Sequence, residues 1–322
     1  VSDASLIQVR VKAVTWLAQN VVSVTLEALD GSDLPGAEAG AHIDVKLNSK
    51  LSRSYSIVRC EGSPVRYEIA VAKDAASRGG SRYVHETLRV GDVVQISAPR
   101  NLFPITEEAD LSVLIAGGIG ITPLWSMVRQ FDALGRAWVI HYAARDRCHA
   151  AYLVDIERFA AASAHGRIET YLDGDPGGRR MDVDAVIREV PAGAHVYCCG
   201  PQSMLAAFEA ATAGLSAERV HLERFASVQP ECAAREFTVA LSRSGQSFEI
   251  PADRTILDVL LENGIDVPFG CMQGACGMCE VGVLDGTPQH LDTLFSEDDK
   301  ASKRSMLICC SRSLTDVLTL DA

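Results

Sequence analysis

Three cysteines, Cys271, Cys276 and Cys279, stand at the spacing C-x4-C-x2-C, and the pair Cys309-Cys310 follows 30 residues later. No other feature constrains the fold as strongly, because four thiolates in this plant-type arrangement hold a 2Fe-2S cluster. The chain must wrap an inorganic core so that three sulfurs converge. Gly274 and Gly277 lie inside that loop, where glycine permits unusual backbone angles. They also let backbone N–H groups approach the sulfurs, and such hydrogen bonds tune the reduction potential. Zinc is the competing metal, but its sites favour paired C-x2-C or Cys/His sets, and one pair is missing. The fourth ligand is open between Cys309 and Cys310: neighbours on a strand point to opposite faces, so only one aims at the cluster. Cys60, Cys148, Cys198, Cys199 and Cys232 are scattered and read as small buried apolar residues. No cleavable signal precedes the first strand-like segment. Ten cysteines in such a chain do not suggest a disulfide framework, and a cytoplasmic location is expected.

The 322 residues suffice for two to three domains, each with its own core. Residues 9–16, 21–26, 43–47, 54–59, 66–71 and 93–97 alternate or are β-branched, with turn residues between them and one helix at 81–88. This pattern predicts a small antiparallel β-barrel. From Leu111 the period changes. Strands at 111–116, 137–142, 168–172 and 194–198 alternate with helices at 123–134, 152–161, 183–190 and 202–213. That is the pattern of an α/β doubly wound parallel sheet. Residues 226–235 are polar and read as a linker. A hairpin around Ser244-Gly245 (237–241 with 246–250) and an amphipathic helix at 255–262, closed by Asn263-Gly264, follow. The expected domains are 1–108, 109–228 and 229–322.

The formal charge of −12 argues against a nucleic-acid binder, since phosphate contacts need Lys and Arg. No apolar run approaches the roughly 18–20 residues of a membrane span. The charge is unevenly placed: residues 229–322 carry 15 acids and 7 bases, hence −8 of the −12.

Gly117-Gly118-Ile119-Gly120-Ile121-Thr122-Pro123 follows an apolar strand and opens a helix. Thr122 reads as the N-cap and Pro123 as the first helical residue. Glycines here let a pyrophosphate approach the helix N-terminus, although a plain strand-to-helix turn needs similar residues. Cys199-Gly200-Pro201 ends another strand of the same sheet, and ligands of parallel sheets sit beyond the carboxyl ends of strands. Arg53-Ser54-Tyr55-Ser56 combines a cation, an aromatic plane and hydroxyls that could stack on a ring and pair with a phosphate. Ser77-Arg78-Gly79-Gly80-Ser81, just before the barrel helix, is a second phosphate cradle.

Together these residues resemble the phthalate dioxygenase reductase family within the ferredoxin-NADP reductase superfamily, over the whole chain and in the family's domain order. Benzoate-dioxygenase-type reductases are similar in parts, but they carry the ferredoxin first and use FAD. The resemblance implies an FMN-binding barrel, a nicotinamide domain and a C-terminal α+β β-grasp ferredoxin domain. It implies that Arg53, Tyr55 and Ser56 hold the flavin ring and that Arg78, Gly80 and Ser81 hold its phosphate. Gly117, Gly118, Gly120, Thr122, Pro123, Cys199, Gly200 and Pro201 would line the nicotinamide side. Phe225, in Glu223-Arg224-Phe225, corresponds to an aromatic near the flavin. The family's Cys-x-Ser-Arg ending corresponds to Cys309-Cys310-Ser311-Arg312 and favours Cys309 as fourth ligand, leaving Cys310 to packing. Asp173 is a candidate partner for ribose hydroxyls, which favours NADH over NADPH; a surface-turn aspartate reads almost as well.

The implied activity is an NADH-dependent oxidoreductase passing electrons through FMN and the 2Fe-2S cluster to a Rieske-type oxygenase. A cytochrome P450 acceptor and a redox-sensing protein are the alternatives. No side-chain acid, base or nucleophile is required beyond cofactor positioning, so His85, His141 and Asp146 read as structural. The acidic C-terminal third would steer a basic partner, or serve solubility alone. A monomer suits transient docking.

Overall fold

The computed structural model describes residues 6–48, 51–62, 65–74, 79–225, 235–269, 274, 277–292, 294–302 and 304–322. They fall into two compact units, Val1–Arg224 and Phe225–Ala322. The expected linker lies mostly outside the described residues, at 226–234.

The first unit begins with six antiparallel strands: β1 (Ile7–Ala18), β2 (Val21–Ala28), β3 (His42–Asn48), β4 (Leu51–Glu61), β5 (Arg66–Ala72) and β6 (Val93–Ile96). They close into a barrel in the order β1-β2-β5-β4-β3-β6. Alternation directs Ile43, Val45 and Leu47 of β3 inward, with Val9, Val11, Leu26, Tyr67 and Ile69 from other strands completing the interior. Helix α1 (Gly80–Glu86) starts behind Gly79, whose φ of 96° requires glycine.

The second half of this unit is a parallel sheet of β7 (Leu111–Gly117), β8 (Ala137–Ala144), β9 (Gly166–Leu172), β10 (His195–Cys199) and β11 (Val220–Glu223), ordered β11-β10-β7-β8-β9. Helices α2 (Ile121–Ala133), α3 (Leu153–Ala162), α4 (Val183–Arg188) and α5 (Gln202–Thr212) cover it. With both faces covered, β7 reads as an apolar run broken only by the buried Ser112. Strand β11 is absent from the sequence reading, because its four residues are half-buried, mixed in polarity and at the sheet edge. Barrel residues Val58, Ala70 and Phe103 share one core with Leu124, Trp125 and Val128 of α2. The Gly40 N–H donates to Ser126 Oγ at 3.1 Å, and Tyr152 Oη donates to Glu68 Oε1 at 2.5 Å. Barrel and sheet are therefore held together, which fixes β4 beside α2.

In the second unit β12 (Phe237–Leu241) pairs antiparallel with β13 (Ser247–Ile250) and parallel with β18 (Val317–Leu320). Helix α6 (Ile256–Glu262) opens on a capping box in which Thr255 Oγ1 accepts from Asp258 N at 3.0 Å, and Gly264 ends it at φ 77°. β14 (Glu280–Asp285) and β16 (Ser305–Leu307) extend the sheet in the order β13-β12-β18-β14-β16, while β15 (Pro288–Gln289) and β17 (Arg312–Ser313) form a separate ribbon and α7 (Glu297–Ser302) lies between β15 and β16 in the chain. Ile256, Leu257 and Leu260 bury the apolar stripe of α6 against Phe237, Val239 and Leu318, the β-grasp arrangement. Among the described residues no helix is long and apolar enough to cross a membrane.

Candidate functional site

Parallel pairing sets Ala116 of β7 beside Cys199 of β10, so the glycine loop and Cys199-Gly200-Pro201 leave the sheet side by side. Their backbones nearly touch. A Cβ on Gly120 would lie 2.2 Å from the Cys199 carbonyl oxygen, and one on Gly117 would lie 2.5 Å from Pro201 Cδ. Close packing of the two loops therefore accounts for these glycines. Gly118, at φ 54°, has open space around it and is where a phosphate can approach the backbone. The capping expectation is corrected: α2 begins at Ile121 behind Gly120, with no side-chain cap. Thr122 Oγ1 donates instead to the Ile119 carbonyl at 3.0 Å, and Pro123 is the third helical residue. The tight Gly118–Gly120 turn brings the helix start forward, and the Ile121 N–H is taken up by the Gly118 and Ile119 carbonyls.

Asp173 is exposed just after β9, two strands from β7 and hence roughly 10 Å along the same edge. The Gly174 N–H donates to the Arg145 carbonyl at 2.6 Å and ties the turns after β8 and β9 together. Sequence reasoning gave no role to Glu223, which pairs in register with Cys199. Its Oε2 is enclosed without a hydrogen-bond partner among the described residues, and burial raises its pKa to about 8. The Cys199 thiol is buried, and burial with Glu223 nearby pushes its pKa well up, so it stays neutral. Phe225 is 39% exposed.

On β4, Arg53 lies against Gly80, where a Cβ would stand 2.6 Å from Arg53 Cγ. The expected ring-binding and phosphate-binding segments are thus brought together. Ser81 Oγ accepts from the Asp74 N–H at 3.1 Å; Arg78 lies outside the described residues. Burial raises the Tyr55 pKa to about 12, which keeps the phenol neutral. Ser56 is buried and its Oγ has no partner among the described residues. His42, also buried, sits opposite Ser56 in the β3–β4 register, and neither of its ring nitrogens has a partner among the described residues. Burial, with Arg100 nearby, lowers the His42 pKa, so the ring is neutral. Two orphaned polar groups side by side fit a polar ring edge, because such groups are costly unless a bound group satisfies them. A buried histidine at the start of an alternating strand leaves no sequence signal beyond its type.

His85, His141 and Asp146 have structural partners: His85 Nε2 meets the Val71 carbonyl at 2.9 Å, His141 Nδ1 meets Tyr171 Oη at 3.0 Å, and Asp146 accepts from His149 N at 3.0 Å.

In the second unit Cys279 and Cys309 are both 2% exposed. The neighbouring Cys279 thiol and the Gly274 backbone lower the Cys309 pKa, while Cys310 and burial raise it to about 12 overall. Gly274 and Gly277 both take φ 74°, as expected of the loop; Cys271 and Cys276 lie outside the described residues. Two buried cysteines flanking a loop with two positive-φ glycines fit a 2Fe-2S cluster. The strand argument that separated Cys309 from Cys310 is corrected: 308–310 form a turn after β16, where alternation does not apply.

Residues 239–314 match the 2Fe-2S iron-sulfur cluster binding domain and residues 114–210 the oxidoreductase NAD-binding domain. The chain is 46% identical over 322 residues to tetrachlorobenzoquinone reductase of Sphingobium chlorophenolicum, covering 99% of each chain. It is 43% identical to phenoxybenzoate dioxygenase subunit beta of Ectopseudomonas oleovorans, covering 98% of this chain and 97% of that one. The solved phthalate dioxygenase reductase, described as a modular structure for electron transfer from pyridine nucleotides to [2Fe-2S], superposes with a TM-score of 0.81 at 34% identity, covering 99% of this chain and 98% of that one. Barrel, nucleotide-binding sheet and cluster domain occur here in one chain and one order, and the chain belongs to the phthalate dioxygenase reductase family, oxidoreductases that use NADH, FMN and a 2Fe-2S cluster.

Proposed function

We propose that this chain takes electrons from NADH and delivers them, through FMN and the 2Fe-2S cluster, to the terminal component of a Rieske-type oxygenase. The observation that carries this reading is 43% identity along 98% of the chain with a dioxygenase subunit. In this reading residues 1–108 hold FMN, 109–228 hold NADH and 229–322 hold the cluster. Arg53, Tyr55, Ser56 and His42 surround the flavin ring, with Arg78, Gly80 and Ser81 at its phosphate. The Gly117–Gly120 loop, Thr122, Pro123, Cys199, Gly200 and Pro201 place the nicotinamide, with Asp173 at the ribose and Phe225 as the aromatic near the flavin. Cys271, Cys276, Cys279 and Cys309 are the cluster ligands. When bound, FMN accepts two electrons together and the cluster passes them on singly; the chain's own residues align the groups and exclude water. The protein acts as a cytoplasmic monomer that docks transiently.

The 46% identity to tetrachlorobenzoquinone reductase favours a second reading, reduction of a halogenated quinone. Incubating the loaded protein with NADH and either a purified Rieske oxygenase or tetrachlorobenzoquinone separates the two. The first reading expects rapid reduction of the oxygenase cluster, and loss of that transfer in Cys279→Ser. NADH oxidation with no oxygenase reduction by any partner tried, alongside rapid quinone reduction, would replace it with the second.

A further inference from the structure

The ribbon of β15 and β17 pairs Pro288 with Ser313 and Gln289 with Arg312, so the residues after Gln289 run back along the turn that carries Cys309. The Leu291 N–H donates to Ser311 Oγ at 3.2 Å. Asp292 follows, and its side chain is fully enclosed. A Cβ on Gly274 would stand 3.0 Å from Asp292 Cα and 3.1 Å from its Cβ, so the cluster loop lies directly on this residue. A buried carboxylate is costly unless donors surround it. Here Oδ1 accepts from the Phe295 N–H at 2.9 Å, Ser311 Oγ donates to Oδ2 at 3.5 Å, and His290 Nδ1 stands 3.4 Å from Oδ2. Of the three only the Phe295 N–H is close, and a neutral oxygen would hold it as well. The turn therefore does not need the charge, which sits between the cluster loop and the Cys309 turn.

We propose that the buried charge of Asp292 lowers the potential at which the 2Fe-2S cluster is reduced and makes the cluster a stronger donor to its acceptor. This rests on the reading of Cys271, Cys276, Cys279 and Cys309 as the ligands. Reduction adds one negative charge to the cluster, and a fixed negative charge beside it opposes that addition. Net charge around a cluster is one of the quantities that set its potential. Salt screens an enclosed carboxylate far less than the surface acids of the same unit, such as the exposed Asp285. Asp292 therefore acts on the cluster out of proportion to its share of the acidity of residues 229–322.

The test is a spectroelectrochemical titration of the flavin- and cluster-loaded protein, with the visible and paramagnetic spectra recorded alongside. Asp292→Asn and Asp292→Ser each keep an oxygen for the Phe295 N–H and lose the charge. Both should keep a wild-type cluster spectrum and shift the reduction equilibrium about tenfold toward the reduced form, ~59 mV less negative. The shift should persist at high salt, and Asp285→Asn, which loses the same formal charge at the surface, should leave the midpoint near wild type. An unchanged midpoint in the Asn and Ser variants, an equal shift in Asp285→Asn, or a shift that vanishes at high salt would overturn the proposal. So would loss of the cluster from both the Asn and Ser variants, which would make Asp292 a structural anchor alone. A wild-type cluster spectrum in Cys309→Ala would show that the underlying ligand assignment had failed, a result separable from an unchanged potential.

Discussion

Glu223→Gln tests the buried carboxyl beside Cys199 through stability alone. The folded carboxyl titrates near pH 8 because burial penalises its charged form, against 4.5 in the open chain. Below pH 4.5 it is protonated in both states and contributes no pH dependence. Between 4.5 and 8 the folded chain holds the proton while the unfolded chain releases it, so stability falls as pH rises. The slope is about 1.4 kcal/mol per pH unit, and above pH 8 the loss is constant. Glutamine is neutral throughout and nearly the same shape, so the variant should gain on wild type by about 3 kcal/mol between pH 5.5 and 8.5. His42, His141, His195 and His221 all titrate lower than usual through burial and weaken the fold as pH falls below 6.5, but they do so equally in both proteins and cancel. Urea unfolding of the loaded protein, followed by fluorescence of the buried Trp125 and Trp138 in the same unit, reads the difference. A difference in stability that is the same at pH 5.5 and 8.5 would refute the buried, protonated carboxyl.

Gly120→Ala should separate the two nucleotide loops, because its methyl would meet the Cys199 backbone on β10 at 2.2 Å. The expected cost is about 1–3 kcal/mol of stability, and the KM for NADH should rise at least tenfold, measured by flavin bleaching under anaerobic conditions. Ser56→Ala should weaken FMN binding by roughly five- to tenfold, the worth of one hydrogen bond, with the melting temperature of the FMN-free protein unchanged; equal FMN retention would place the flavin elsewhere. Transfer to an oxygenase should slow as salt rises from low to physiological strength if the −8 of residues 229–322 steers the partner, and a flat response would leave that acidity to solubility.

Legibility followed the strength of local patterns. The barrel strands, the doubly wound alternation and α6 with its Asn263-Gly264 stop carry period and punctuation, and each stands where it was expected. Strand β11 does not, since four half-buried edge residues have neither an apolar run nor alternation. Thr122 has the identity of a cap, yet the Gly118–Gly120 turn moves the helix start ahead of it. Tertiary geometry overrode local preference there, as it did at Cys309-Cys310, where a turn replaced the assumed strand. His42 and Glu223 became candidates only when register set them opposite Ser56 and Cys199, because a missing hydrogen-bond partner is a property of the folded chain. The β14–β18 segments are short and separated by turns and α7, and pairing across 23 or more residues leaves no local period.

The central claim is a single line of electron flow in which the flavin stands between NADH and the cluster. Anaerobic mixing with one equivalent of NADH, observed at flavin and cluster wavelengths in wild type, in Cys279→Ser and in protein stripped of FMN, tests it most directly. Wild type should show flavin reduction followed by cluster reduction. Cys279→Ser should show the first alone, and FMN-free protein neither. Cluster reduction by NADH without FMN, or flavin that NADH fails to reduce in a fully loaded protein, would contradict the account.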